Sequence, residues 1–141
     1  HPGVQFVQGD ACAVPFGDGV FDVVTSIESA AHYDDKDQFF RSAFRCLKKG
    51  GVLAVANIER DTIADVTDRL RRAGFWVRHC EDLTVRVLRS IDAWPDVADA
   101  HMRLGCDREL AVRIHYAVTV DARAVLEERG FRYLAWQAIK P

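Results

Sequence analysis

The sequence predicts an α/β fold with a largely parallel sheet, because strand-like and helix-like segments alternate along most of the chain. Two segments carry this prediction. The run VFDVVTSI, residues 20–27, is nearly continuous in strand-forming residues, which is typical of a strand covered on both faces. The segment after it places Phe40, Phe44 and Leu47 on one stripe at helical spacing.

The other elements are predicted from the same patterns. In chain order we expect a short strand at 4–8, the strand at 20–27, a helix from Asp34 or Asp35 that ends at Gly50, a strand at 51–59, a helix from Thr62 to Ala73, a strand at 75–82, a helix from Asp121 to Gly130 and a closing strand at 131–140. Lys48 and Lys49 suit the negative end of the first helix, and Thr62 with Asp65 resembles a capping box.

The alternation lapses between residues 84 and 120, where the pattern is mostly helical. We therefore divide the domain into an α/β core at 1–83, a helical insertion at 84–120, and a final helix and strand at 121–141. Such an insertion forms either a lid over a pocket or a cover for one face of the sheet.

Length and composition exclude several classes of protein. The 141 residues and the hydrophobic fraction of 49% suit one domain with one core. The net charge of −2 gives no indication that the chain binds nucleic acid or an anionic membrane. No apolar run approaches membrane-spanning length. The four cysteines lie far apart, without metal-ligand spacing, so we expect no metal site and reduced thiols in the cytoplasm.

Four short motifs follow one another between residues 4 and 58: GDA, PF, FDVV and LKKGG before an apolar strand. This order resembles the second half of a class I S-adenosylmethionine-dependent methyltransferase. The later RAGF, EDLT and RYLAWQAIKP resemble small-molecule methyltransferases of natural-product and tocopherol type. The resemblance implies a partial Rossmann-like fold, S-adenosyl-L-methionine as cofactor and S-adenosyl-L-homocysteine as its product.

The resemblance also assigns cofactor-binding residues. Asp10 would accept a hydrogen bond from the adenine amino group, the Ala11 N–H would meet a ring nitrogen, and Phe16 would pack on the adenine. Asp10 could instead cap the following turn, and Phe16 could cover the core. The cofactor's amino-acid and sulfonium end would be lined by Ser26, Ile27 and Glu28, although Glu28 could equally anchor a loop.

His32 ends the run ESAAH, which matches the ES..H pattern of small-molecule methyltransferases, where the histidine faces the acceptor. A histidine near its ordinary pKa can take a proton from an attacking hydroxyl, so His32 is the candidate catalytic base. The alternative role of His32 is to form hydrogen bonds with backbone groups near the start of the helix. Tyr33 replaces the apolar residue that often follows this histidine. Further residues that could contact an acceptor are Trp94, His101, His115 and Tyr116.

The family's glycine-rich first motif is not in the sequence, and no G-x-G-x-x-G occurs. Two β-α units of roughly 30 residues each would precede residue 1, and without them the strand at 4–8 has no neighbour. We therefore expect the retained part of a longer enzyme, a chain completed by a second chain, or strands exchanged within a dimer.

The predicted function is methyl transfer to an oxygen, nitrogen or carbon of a small molecule, by a fragment or by one half of a split enzyme. The alternative is a non-catalytic methyltransferase-like subunit that scaffolds a partner. Half of a nicotinamide-dependent oxidoreductase would have a similar parallel sheet, but this hypothesis does not account for GDA and ESAAH together.

Overall fold

A computed structural model describes residues 3–93, 103, 105 and 107–141 of the chain. Its strands are β1 (Phe21–Ile27), β2 (Leu47–Glu59), β3 (Trp76–Asp82) and β4 (Arg132–Ile139). Its helices are α1 (Lys36–Cys46), α2 (Ile63–Arg72), α3 (Thr84–Ala93), Arg108–His115, a π-helical segment Tyr116–Asp121, and Ala122–Glu127, with 3-10 turns at Ala11–Ala13 and Ala30–His32.

The four strands form one mixed sheet in the order β1-β2-β4-β3. β1 and β2 are parallel, with Ile27 opposite Ala56. The start of β2 is hydrogen bonded to the residue after β4, since the Gly50 N–H donates to the Lys140 oxygen at 2.8 Å. β4 therefore runs against its neighbours, and the other three strands share one direction. The predicted α/β fold is confirmed, including the closing strand at the end of the chain.

The described residues form two compact units, and the first comprises His1–Asn57, Thr62–Glu81 and Ala135–Pro141. Asp35 caps α1 by accepting a 2.8 Å hydrogen bond from the Gln38 N–H. Thr62 and Asp65 form the predicted capping box at the start of α2. The apolar faces of these helices are buried in the core; the large side chains there include Phe39, Phe40, Leu47, Leu53, Val66, Leu70, Phe75 and Trp136.

The predicted end of the first helix is wrong. α1 stops at Cys46 and the chain passes directly into β2, so Lys48 and Lys49 belong to a strand. The Lys48 ammonium lies 2.8 Å from the Asp22 carboxylate of β1, which is an attraction across two paired strands. Gly50, at φ 77, gives β2 a local turn at its start.

The predicted strand at 4–8 is also wrong, because this segment makes no strand pairing in the structure. Its apolar side chains are exposed, and Phe6 keeps 95% of its surface accessible. β1 lies at the edge of the sheet rather than between covered faces, with Val23 55% and Ile27 66% exposed. Among the described strands none pairs with the outer edge of β1.

The second unit comprises Ile58–Asp61 and Asp82–Leu134, so it holds the described part of the helical segment together with the final helix. The Arg60 guanidinium lies 5.0 Å from the centre of the Phe131 ring. Asp121 was predicted to cap a helix, but its side chain makes no capping hydrogen bond, because the π-helical segment already continues into Ala122–Glu127. Among the described helices, none has the length and apolar character needed to cross a bilayer.

Candidate functional site

The carboxyl ends of β1 and β2 carry a group of polar residues. Ser26 is 4% exposed, whereas Ile27 and Glu28 after it are open to solvent. Glu28 leaves the strand at φ 54, and its N–H donates a 2.9 Å hydrogen bond to the Ala56 oxygen. A left-handed glutamate costs backbone energy, and residues of this kind concentrate at functional sites. The structure thus brings the three predicted residues of the cofactor's sulfonium end together at one strand end.

Three hydroxyl groups converge behind this strand end. Ser29 Oγ lies 2.9 Å from Ser26 Oγ and 2.9 Å from Tyr33 Oη, and the distance from Ser26 Oγ to Tyr33 Oη is 3.4 Å. The Tyr33 ring packs on Phe39 of α1, with ring centres 4.8 Å apart. We call Ser26, Ser29 and Tyr33 the hydroxyl cluster. It links β1, the 3-10 turn and α1.

His32 ends the 3-10 turn Ala30–His32 and is exposed. Its backbone N–H donates to the Ser29 oxygen at 3.0 Å. In the described part of the chain no hydrogen bond or ion pair engages the imidazole. The backbone of His32 thus takes part in the turn, while its side chain keeps both ring nitrogens available to a bound molecule.

Asp10 precedes the 3-10 turn Ala11–Ala13 and caps it, because its carboxylate accepts a 2.8 Å hydrogen bond from the Cys12 N–H. This is the capping interaction that the sequence offered as the alternative reading. The Cys12 thiol in turn donates to the Asp35 oxygen at 3.3 Å. The Asp10–Ala11 segment is therefore tied to the residue that caps α1, three positions after His32.

Phe16 packs edge-on against Phe21, with ring centres 5.0 Å apart, and it stays partly exposed. Arg45 of α1 holds the loop around it by donating to the Phe16 oxygen at 2.6 Å and to the Asp18 carboxylate at 2.9 Å. The hydrogen bond to Asp18 raises the pKa of the Arg45 guanidinium. The Phe16 ring thus contacts the first residue of β1.

A groove of about 370 Å³ lies between residues 12–14 and α1. Its lining includes Gln38, Arg41, Ser42 and Arg45, and none of the predicted site residues. The Arg41 guanidinium is bound to the Gln38 oxygen at 2.9 Å. Because none of the predicted site residues lines this groove, we place the candidate site at the strand ends instead.

Sequence reasoning missed the hydroxyl cluster as a unit and the fully buried Asn57 of β2. The signal was present, because Ser29 and Tyr33 are spaced by four residues and Asn57 interrupts an apolar strand. Tyr116 is exposed in the second unit. Trp94 and His101 lie outside the described residues, as does the side chain of His115.

Comparison with known proteins gives consistent matches. Residues 1–55 match the sequence model of a family described as "Methyltransferase domain". Over 55 residues the chain is 53% identical to erythromycin 3''-O-methyltransferase of Saccharopolyspora erythraea, covering 39% of this chain and 18% of that enzyme. Over 97 residues it is 38% identical to methyltransferase GfsG of Streptomyces halstedii, covering 68% of this chain and 33% of the other.

Among solved structures, the fold resembles that of the [4+2]-cyclase SpnF, with a TM-score of 0.69 and 25% sequence identity. The similarity covers 97% of this chain and 57% of the cyclase. The chain therefore spans a third or less of the length of the two curated relatives and little more than half of the structural neighbour.

Proposed function

Because the chain carries part of a class I S-adenosylmethionine-dependent methyltransferase domain, we propose that it contributes the acceptor side of a methyl-transfer site for a small molecule. The observation that carries the proposal is the group at the strand ends: Ser26, Ile27 and the left-handed Glu28, with the exposed His32 four residues after Glu28. In an open α/β sheet, ligands bind beyond the carboxyl ends of the strands.

S-adenosylmethionine supplies an activated methyl group on a sulfonium when it is bound. We propose that Ser26, Ile27 and Glu28 line its amino-acid and sulfonium end, and that Asp10, Ala11 and Phe16 meet the adenine. The position of Asp10 is compatible with this role because capping the turn engages one of its two carboxylate oxygens, Oδ1. The exposed face of Phe16 offers an apolar surface for a ring.

His32 is proposed as the base. Its free imidazole can accept the proton of an acceptor hydroxyl while the oxygen attacks, which prevents a positively charged product from accumulating. Most of the acceleration would come from holding the acceptor in line, since proximity and orientation lower the barrier of a two-reactant step. The erythromycin relative is an O-methyltransferase by name, so a hydroxyl is the first acceptor to test, with nitrogen and carbon kept open.

A second polypeptide segment is proposed to complete the site. The outer edge of β1 lacks a partner among the described strands, and Val23 and Ile27 on it expose 55% and 66% of their surfaces. A parallel strand that ends in a glycine-rich turn would cover these side chains and bring donors to the cofactor. Such a strand could come from a longer form of this chain, a separate chain or a dimer mate.

Calorimetry with S-adenosylhomocysteine tests this proposal. We expect weak or no heat from the chain alone and clear binding after addition of a separate polypeptide that carries the front two β-α units of a relative. The matched variant is Glu28→Val, whose β-branched side chain disfavours the left-handed backbone conformation at the end of β1. This variant should lose the restored binding. If the two halves associate and no cofactor binds, the enzyme proposal fails and the scaffold alternative is supported.

A further inference from the structure

Ser29 occupies the N-cap position of the turn that carries His32, yet in the described structure its hydroxyl makes no capping hydrogen bond. A serine at this position ordinarily accepts a hydrogen bond from the N–H groups of the turn. Here the hydroxyl lies 2.9 Å from both Ser26 Oγ and Tyr33 Oη. The Ser29 hydroxyl thus links the strand end to Tyr33 and does not cap its own turn.

Tyr33 is held at both ends of its side chain. Its hydroxyl belongs to the cluster, and its ring packs on Phe39, which is 4% exposed. Tyr33 therefore joins a buried part of α1 to the buried Ser26 of β1. The turn between them is short, and its two flanking residues, Ser29 and Tyr33, are both fixed by these contacts.

His32 lies between these two fixed points. No hydrogen bond, ion pair or ring contact with the described residues holds its imidazole, so the backbone of the turn is what fixes the point from which the side chain projects. We infer that Tyr33, acting through Ser29 and Ser26, is a positioning residue that holds His32 toward the acceptor. This inference rests on the proposed function of His32 as the base.

The test is a double-mutant cycle in the assembled enzyme, the chain together with the front-half polypeptide. Tyr33→Phe removes only the hydroxyl and should lower kcat roughly ten- to a hundredfold, because small misplacements of a reacting group have effects of this size. The KM for S-adenosylmethionine should stay unchanged. In a His32→Ala background the same substitution should change kcat less than about twofold. Thr67→Ala, which removes a hydroxyl of α2 outside the proposed site, is the control and should have no effect.

Equal losses of kcat in both backgrounds would overturn the inference, since Tyr33 would then act independently of His32. A second measurement does not need activity. Amide hydrogen exchange of His32 in the chain alone should accelerate about tenfold in Tyr33→Phe and in Ser29→Ala, and not in Thr67→Ala. Unchanged exchange overturns the inference even in an active enzyme. Accelerated exchange in a protein that never transfers a methyl group overturns the proposed function, and the role of Tyr33 in catalysis with it.

Discussion

The Glu28 N–H donates a 2.9 Å hydrogen bond to the Ala56 oxygen, and this contact fixes a left-handed residue at the end of β1. Glu28→Asn should leave the free energy of unfolding nearly unchanged, because asparagine tolerates this conformation. Glu28→Val should lower it by about 1–2 kcal/mol, because a β-branched residue does not. Urea unfolding of the two variants measures the difference. Equal stability of both variants would show that the turn does not require its φ value.

The capping box of α2 predicts a second loss. Thr62 accepts a 3.2 Å hydrogen bond from the Asp65 N–H, so Thr62→Ala should lower the free energy of unfolding by about 1 kcal/mol. Thr67→Ala within the same helix removes an equal hydroxyl without removing a cap. It should be neutral or slightly stabilising, because alanine is the better helix former. A larger loss in Thr67→Ala would contradict the capping account.

Gly74 and Gly130 form a matched pair, since both have positive φ values of 100 and 69. A Cβ at Gly74 would lie 2.9 Å from the Phe44 ring, whereas nothing lies within 4 Å of one at Gly130. Gly130→Ala should cost about 1 kcal/mol from backbone strain alone. Gly74→Ala should cost roughly 1–3 kcal/mol more, because the ring must move. Thermal unfolding of both variants measures the clash, and equal losses would refute it.

Asp82 predicts a pH dependence. Burial would raise the pKa of its carboxyl, but hydrogen bonds from Thr84 and Arg132 outweigh burial and lower the pKa below 3.8. A lowered pKa adds stability that is present above the ordinary value and is lost as pH falls through the native value. Arg132→Gln should therefore reduce stability near neutral pH and flatten its decline below about pH 4. Arg129→Gln, which removes a positive charge three residues before Arg132 in the sequence, should leave the slope of the decline unchanged.

The open edge of β1 predicts different effects in the chain alone and in an assembled protein. Val23→Lys should change the stability of the chain alone by no more than about 0.5 kcal/mol, because the side chain is already exposed. It should weaken association with the front-half polypeptide at least about tenfold, because the pairing would bury the charge. Val85→Lys, at an equally exposed position of α3, is the control. If Val23→Lys associates as well as the unaltered chain does, then β1 is not the edge to which the front-half polypeptide docks.

Local patterns were enough to predict most elements of this fold. The capping box at Thr62 and the cap at Asp35 depend on neighbouring residues alone, so spacing reveals them. The strand at 4–8 failed for a non-local reason: an extended apolar segment becomes a strand only when another strand is available to pair with it. The prediction that Lys48 and Lys49 end a helix is wrong, because the strand pairing of β2 begins before the glycine that was interpreted as a helix stop.

The sequence predicts the location of the candidate site better than it predicts the contacts within that site. The end of the apolar run marked Ser26–Glu28, but the link from Ser29 to Tyr33 depends on the path of the turn between them. The fold alone does not decide the reaction, because the structural neighbour SpnF is described as a [4+2]-cyclase. The residues at the strand ends therefore have to carry the functional argument.

The central claim, that the strand ends of this chain form one side of a cofactor site, is tested most directly by amide chemical shifts. The ¹⁵N-labelled chain, with an unlabelled front-half polypeptide present, would be titrated with S-adenosylhomocysteine. We predict saturable shifts at Asp10, Ala11 and Ser26–Glu28. Shifts confined to the groove beside Arg41 and Ser42, or no shifts although the two halves bind each other, would contradict the claim.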